Sequence, residues 1–187
     1  VLFGDTPEEG YVRGDTFLHP RLGISFSVPD GFIIDTAAAA VTATGPADTA
    51  VRFDAVELNR RTSLADYLRS GWVAGLDPAS VRAETLNGND AAFATARAEG
   101  WQFDIVVVRV GGQVYRLLTA APAASTGLTA IARTVSGSFR TLSESEKAAL
   151  KPLRIRVVTV KPGLNVGTLA ASMVGVDRKL DLFRVIN

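Results

Sequence analysis

Phe17-Leu18-His19-Pro20-Arg21-Leu22-Gly23-Ile24-Ser25-Phe26-Ser27-Val28-Pro29-Asp30-Gly31-Phe32 is the stretch from which the fold is read. Within it, Ile24 to Val28 alternates apolar and small polar residues with period two, the pattern of a half-buried strand. Pro29-Asp30-Gly31 stops that strand, because proline has no N–H to pair and glycine accepts positive φ. Downstream, an extended segment is expected from Phe32 to Thr44. Gly45-Pro46-Ala47-Asp48 reads as a hairpin turn, and Ala50 to Leu58 returns with Val51, Phe53 and Ala55 on one face. Upstream, residues 4–16 read as turn-rich and polar loop.

The next segments alternate between helix and strand signals. Leu64 to about Val73 predicts a helix: Ser63 stands at the N-cap with Asp66 three residues on, and Leu64, Tyr67, Leu68 and Trp72 fall at helical spacing. Pro78 and Gly75 close that region. Strands are expected at Arg82–Leu86, at Ala91–Glu99 with Ala92, Ala94, Ala96 and Ala98 on one face, and at Trp101–Val110. Gly111-Gly112 turns the chain into Gln113–Ala120. Ile105-Val106-Val107-Val108 is apolar on both faces, so it predicts a central strand covered on both sides. A helix with Leu128, Ile131, Ala132, Val135 and Phe139 on one stripe follows. A short helix capped by Ser143 and Glu146 ends before Pro152. The tail is expected to form a strand at Ile155–Val160, a turn at Pro162-Gly163, and helices at Val166–Met173 and Lys179–Ile186.

These signals predict an α+β fold, an antiparallel sheet flanked by helices, followed by a small β-α-α tail. The expected division is a leader loop at 1–16, the sheet domain at 17–150 and the tail at 151–187. With 187 residues, 47% hydrophobic and 21% charged, the chain is globular and large enough to bury a core without staples. The net charge of +1 points away from nucleic acid and anionic membrane. No apolar stretch approaches the roughly 18–20 residues of a membrane span. The chain opens at Val1 rather than Met, which sets the expectation of a fragment or processed form, with a signal or another domain upstream.

Few residues offer chemistry. There is no Cys, which removes thiol catalysis and Cys-based zinc sites, and His19 is the only His. His19 lies in no nucleophile-elbow context and reads as a loop histidine that hydrogen-bonds or faces solvent. Glu144 with Glu146, and Asp177 with Asp181, read as solvated helix faces. Asp104, inside an apolar strand, calls for a partner if buried, with Arg109 or Arg97 as candidates. Gly111-Gly112 lacks the Lys-Ser/Thr of a phosphate loop. Lys151, Arg154, Arg156 and Lys161 cluster at the boundary, as a charged edge strand or as a contact for an anionic glycan or partner. Trp72 and Trp101 read as core residues, with a ligand groove as the other option. A small hydrolase would need two converging carboxylates in an apolar cleft.

The Phe17–Phe32 phrase resembles the opening of PsbP-like domains, and the element order resembles that fold over roughly residues 15–142. Val157-Val158-Thr159-Val160-Lys161-Pro162-Gly163 resembles the start of a LysM module, with Leu169-Ala170, Leu182 and Asn187 as later matching features. Where LysM modules carry Asp-Thr, this chain has Leu164 and Asn165, so Asn165 is expected to cap the helix. The LysM resemblance implies candidate binding residues Lys161, Pro162, Gly163, Asn165 and Asn187. The combination, with Ala91-Ala92-Phe93-Ala94-Thr95-Ala96-Arg97 and Leu150-Lys151-Pro152-Leu153-Arg154-Ile155, resembles the C-terminal region of periplasmic zinc-dependent proteases of the HtpX/BepA type.

That resemblance implies an accessory region of a cell-envelope zinc metalloendopeptidase. The zinc and the HExxH helix would lie in an upstream catalytic domain, and this chain would hold no cofactor or catalytic residue. The implied partners are that domain and either peptidoglycan or a protein substrate, in the periplasm or cell envelope. The second expectation is a free-standing PsbP-like periplasmic domain or lipoprotein that binds a protein.

Overall fold

The computed structural model describes residues 7–153, 157–176 and 178–187. Along the chain run β1 (Tyr11–Arg13), β2 (Thr16–His19), β3 (Ile24–Ser27), β4 (Ile33–Ala37), β5 (Ala40–Thr44), β6 (Ala50–Val56) and α1 (Leu64–Arg69). After a single 3-10 turn at Pro78–Ser80 come β7 (Arg82–Leu86), β8 (Asn89–Ala98), β9 (Trp101–Val110) and β10 (Gln113–Pro122). The chain then forms α2 (Leu128–Ser138), β11 (Arg140–Thr141), α3 (Glu144–Ala149), α4 (Val166–Ala171) and α5 (Lys179–Ile186).

The strands form two antiparallel sheets. The larger has order β4-β5-β6-β10-β9-β8-β7, and the smaller β1-β2-β3-β11. β9 lies inside the large sheet, as its apolar run demands. Ile105 and Val107 point to one core, and Val106 and Val108 to the other. Burial on both faces leaves all four between 0% and 2% exposed.

The first core lies between the large sheet, the small sheet and α2. Phe17, Phe26, Phe53, Tyr115 and Phe139 form a connected aromatic group there, with neighbouring centroids 5.1 to 6.4 Å apart. Each fully buried ring contributes roughly 2–3 kcal/mol by apolar burial, and favourable ring pairs add about 0.5–1.5 kcal/mol. The second core lies under α1. Ala92, Ala94 and Ala96 keep that face of β8 low, which lets Leu64 and Leu68 of the helix approach the sheet.

Several expectations are corrected. Residues 4–16 are not all loop: Tyr11–Arg13 and Thr16–His19 pair across the Gly14-Asp15 turn, while Gly4 to Thr6 lie outside the described residues. Gly14 at φ 61° supplies the turn, and alternating burial of Phe17 and His19 holds the strand. The segment from Phe32 to Thr44 is a hairpin rather than one strand, with Ala37 paired to Ala40. Its tip, Ala38-Ala39, has no Gly, Pro or Asn to announce it.

The helix expected to reach Val73 ends at Arg69, followed by Gly71 at φ 87°. The return strand stops at Val56, and Ala55 is exposed although Val51 and Phe53 are buried. In the tail, Arg154, Ile155 and Arg156 lie outside the described residues. Val157–Val160 is not a strand, because no second segment pairs with its backbone among the described residues.

Candidate functional site

The strongest polar constellation was not legible in the sequence. β6 and β10 run antiparallel with Asp54 directly opposite Arg116. Arg116 Nε and Nη2 donate to the two carboxylate oxygens of Asp54 at 2.6 and 2.9 Å, a bidentate pair. Arg52 Nε donates to Asp54 Oδ2 at 3.1 Å, and Arg116 Nη1 donates to Tyr67 Oη at 3.0 Å. The guanidinium lies 4.6 Å from the centroid of the Trp72 ring, which stacks on Tyr67. The Asp54 side chain is 4% exposed. Its hydrogen bonds raise the Arg116 pKa above the usual guanidinium value. Trp72 Nε1 is buried without a hydrogen-bond partner among the described residues. The arrangement ties α1 to the sheet, and both carboxylate oxygens of Asp54 accept hydrogen bonds from guanidinium groups.

A shallow cleft of about 310 Å³ lies nearby, with Asp54 itself among its lining residues. Glu8, Glu9, His19 and Leu22 form one wall, and the β4–β5 tip at 37–40 forms the other. Of the two readings of His19, hydrogen-bonded or facing solvent, the structure shows the first, at the end of a strand rather than in a loop. It ends β2 and is buried. Its Nδ1 accepts the Leu22 N–H at 3.2 Å, which assigns the proton to Nε2, and Nε2 donates to the Glu8 carbonyl at 3.2 Å. Burial lowers its pKa below the ordinary imidazole value. With both nitrogens engaged in neutral form, the ring braces the N-terminal segment against the Leu22 turn. The Glu8 carboxylate is engaged by Arg21 at 2.9 Å.

Asp104 is partly buried in β9, and burial pushes its carboxyl pKa up. The charge that partly offsets this is Arg82, not Arg109 or Arg97. Arg109 instead donates to the Arg60 and Thr62 carbonyls at 3.3 and 2.9 Å. Arg82 is shared with Glu84 at 2.7 Å and lies over the Phe93 ring.

The expected carboxylate pairs lie on exposed helix ends. Glu146 accepts from the Ser143 N–H and pairs with Arg140 at 2.8 Å, which holds its pKa down at about 2. Glu144 pairs with Lys147, and Asp181 with Arg178, while Asp177 lies outside the described residues. Trp72 and Trp101 do not share a groove. Trp72 packs under α1, and Trp101 starts β9 opposite Ala98 and Pro122.

In the tail, Lys161-Pro162-Gly163 forms an exposed turn, with Gly163 at φ 90° and the Leu164 N–H donating to the Lys161 carbonyl at 3.2 Å. Asn165 caps α4: its Oδ1 accepts the Thr168 N–H at 3.0 Å, and its own N–H donates to Thr168 Oγ1 at 3.0 Å. The Asn187 side chain donates to the Phe183 carbonyl at the end of α5. Lys161, Pro162, Gly163 and Asn165 are thus contiguous. No side-chain hydrogen bond among the described residues joins Asn187 to that turn.

The zinc implied by the protease resemblance has no ligand set here. No group of three or more His, Cys, Asp or Glu side chains converges among the described residues. No described helix is long and apolar enough to cross a membrane.

No family model matches the chain, and no curated protein matches it. Solved structures do. Cyanobacterial PsbP (CyanoP) from Synechocystis sp. PCC 6803 superposes with a TM-score of 0.54 at 12% identity, over 71% of this chain and 94% of that one. A protein from Bacteroides thetaiotaomicron gives 0.52 at 14% identity, over 72% of this chain and 51%, about half, of that chain. LpqN of Mycobacterium tuberculosis, described as involved in cell envelope biogenesis, gives 0.44 at 19% identity. At these identities the first two likenesses show the fold alone: the chain shares the PsbP-like fold of CyanoP, with antiparallel sheets flanked by helices.

Proposed function

We propose that this chain is a non-catalytic binding region of a cell-envelope protein, with a PsbP-like domain at 17–150, led by 1–16, and a LysM-like tail at 151–187. One observation carries the reading. Of the large hydrophobic side chains exposed among the described residues, only Leu22, Ile33 and Trp101 belong to the sheet domain, while Val157, Val158, Val160, Leu164, Val166, Val174, Leu180, Val185 and Ile186 all lie in the tail. A contiguous segment with that much unburied apolar surface is suited to contact. Inside the domain, meanwhile, His19 and Asp54 are committed to structural bonds.

In the finer reading, the chain is the accessory region of a zinc metalloendopeptidase of the HtpX/BepA type. It holds peptidoglycan or a protein substrate near an upstream catalytic domain, in the periplasm. The Lys161–Asn165 turn and Asn187 would carry the glycan contact. Two measurements test this. The reading frame upstream of Val1 is expected to encode an HExxH helix, and its absence overturns the protease parent. Insoluble peptidoglycan is expected to retain 1–187 and not 1–150; equal behaviour removes the glycan role. The 94% coverage of CyanoP favours a second reading, a free-standing PsbP-like periplasmic domain or lipoprotein that binds a protein. A signal peptide or lipobox shortly before Val1, with no catalytic domain between, would select it.

A further inference from the structure

We propose that the open edge of β4 takes the Val157–Lys161 segment of a second copy of this chain as an added strand. β4 is the outermost strand of the large sheet. Ala37 pairs with Ala40 across a two-residue turn, so Ile33, Asp35 and Ala37 bond to β5. The N–H and C=O groups of Ile34 and Thr36 therefore face outward, and no strand among the described residues covers them. Ile33 is 73% exposed on this edge.

Of the other edges, β11 has only two residues, and β7 and β1 are guarded. β7 at the far side carries Arg82 and Glu84, paired at 2.7 Å. β1 of the small sheet is short, and Arg13 on it donates to the Lys151 carbonyl at 3.1 Å. On β4 the only charge is Asp35.

The occupant is argued from chemistry on the same chain. Val157-Val158-Thr159-Val160 is β-branched throughout, yet it pairs with no strand among the described residues. Val157 is 94% exposed and Val160 59%. With Lys161 the segment has the five residues of β4, and Pro162, which has no N–H to pair, ends it. Period two sets Val157, Thr159 and Lys161 beside the Ile33–Asp35–Ala37 face, and Val158 and Val160 beside Ile34 and Thr36.

Charge points the same way. Residues 22–51, which contain β4, carry three Asp and no Lys or Arg, while residues 151–161 carry four Lys or Arg and no Asp or Glu. A symmetric β4–β4 pair centred on Asp35 would set like charges opposite each other, which disfavours direct edge-to-edge pairing. Exchange of the basic segment avoids this. Because each copy has one acidic edge and one basic strand, reciprocal exchange closes as a two-fold dimer. This inference is independent of glycan binding by the tail.

The experiment is the solution mass of the full chain by sedimentation, for the native sequence, Asp35→Lys and Val158→Pro. Asp35 is exposed and Val158 is unpaired, so both variants are expected to keep the native circular dichroism. The native chain is expected at twice its 19.7 kDa mass, and each variant at the single mass. A native chain at the single mass overturns the proposal and leaves another partner for the edge. A dimer that survives either substitution also overturns it, since exchange requires both segments.

Discussion

Asp54 and Arg116 are separated by more than sixty positions, yet their side chains are held together from both ends of the guanidinium. Removing Arg116 leaves the buried Asp54 carboxylate with the half-exposed Arg52 as its one remaining charged partner among the described residues. Arg116→Ala is expected to cost about 3–5 kcal/mol, read as a lower urea midpoint at unchanged slope. Arg116→Lys should recover only part of this, because an ammonium cannot make the bidentate pair. A cost of a few tenths of a kcal/mol would mean that the pair adds nothing to stability. Asp104 makes the opposite case. Its folded pKa is raised, so stability falls as pH rises through the ordinary carboxylate value toward the folded one, where the buried group must ionise. Asp104→Asn should therefore stabilise the protein at neutral pH, and the gain should vanish below the ordinary carboxylate pKa; unfolding curves at both pH values check this. His19 acts in the other direction. Burial depresses its folded pKa, so its contribution is present at neutral pH and declines as pH falls below the ordinary imidazole value.

The loop after α1 depends on Gly75. It sits at φ 68°, and a Cβ there would fall 2.0 Å from the Arg97 carbonyl oxygen, with the Arg97 N–H already donating to the Gly75 carbonyl at 2.9 Å. Gly75→Ala must break that backbone pairing and strain φ. It is expected to cost at least about 2 kcal/mol and to lower the thermal midpoint by roughly 4–8 °C. An unchanged midpoint would show that the loop moves freely. Ser143→Ala removes the acceptor that holds the Glu146 N–H and should cost about 1 kcal/mol, seen as faster amide exchange in α3. Elements of this kind are legible when their signal is local. The caps at Ser63 and Ser143 and the turn at Gly45–Asp48 were all readable within four residues. The Ala38-Ala39 tip was not, because alanine permits a turn without asking for one.

The large sheet closes only when β6 meets β10, its one pairing that is not a hairpin, and the chain between those two strands holds α1 and β7–β9. Such non-local pairing makes folding slow. Refolding is expected on the millisecond-to-second scale, followed by stopped-flow fluorescence of Trp72 and Trp101. Microsecond refolding would contradict a transition state that needs this closure.

By itself, the sequence determined the α+β class, the antiparallel hairpins, a central β9 buried on both faces, the helix caps and the scarcity of groups able to do chemistry. All of these rest on residue identity or on periods of two and 3.6, which are properties of neighbouring residues. Only the tertiary structure decided that the polar-looking start of the chain builds a second sheet, and that Asp54 finds Arg116. It also decided that His19 is a neutral brace, and that β4 is left open while the tail exposes its valines. Those outcomes depend on which strands lie side by side and in what register, and no local period encodes that choice.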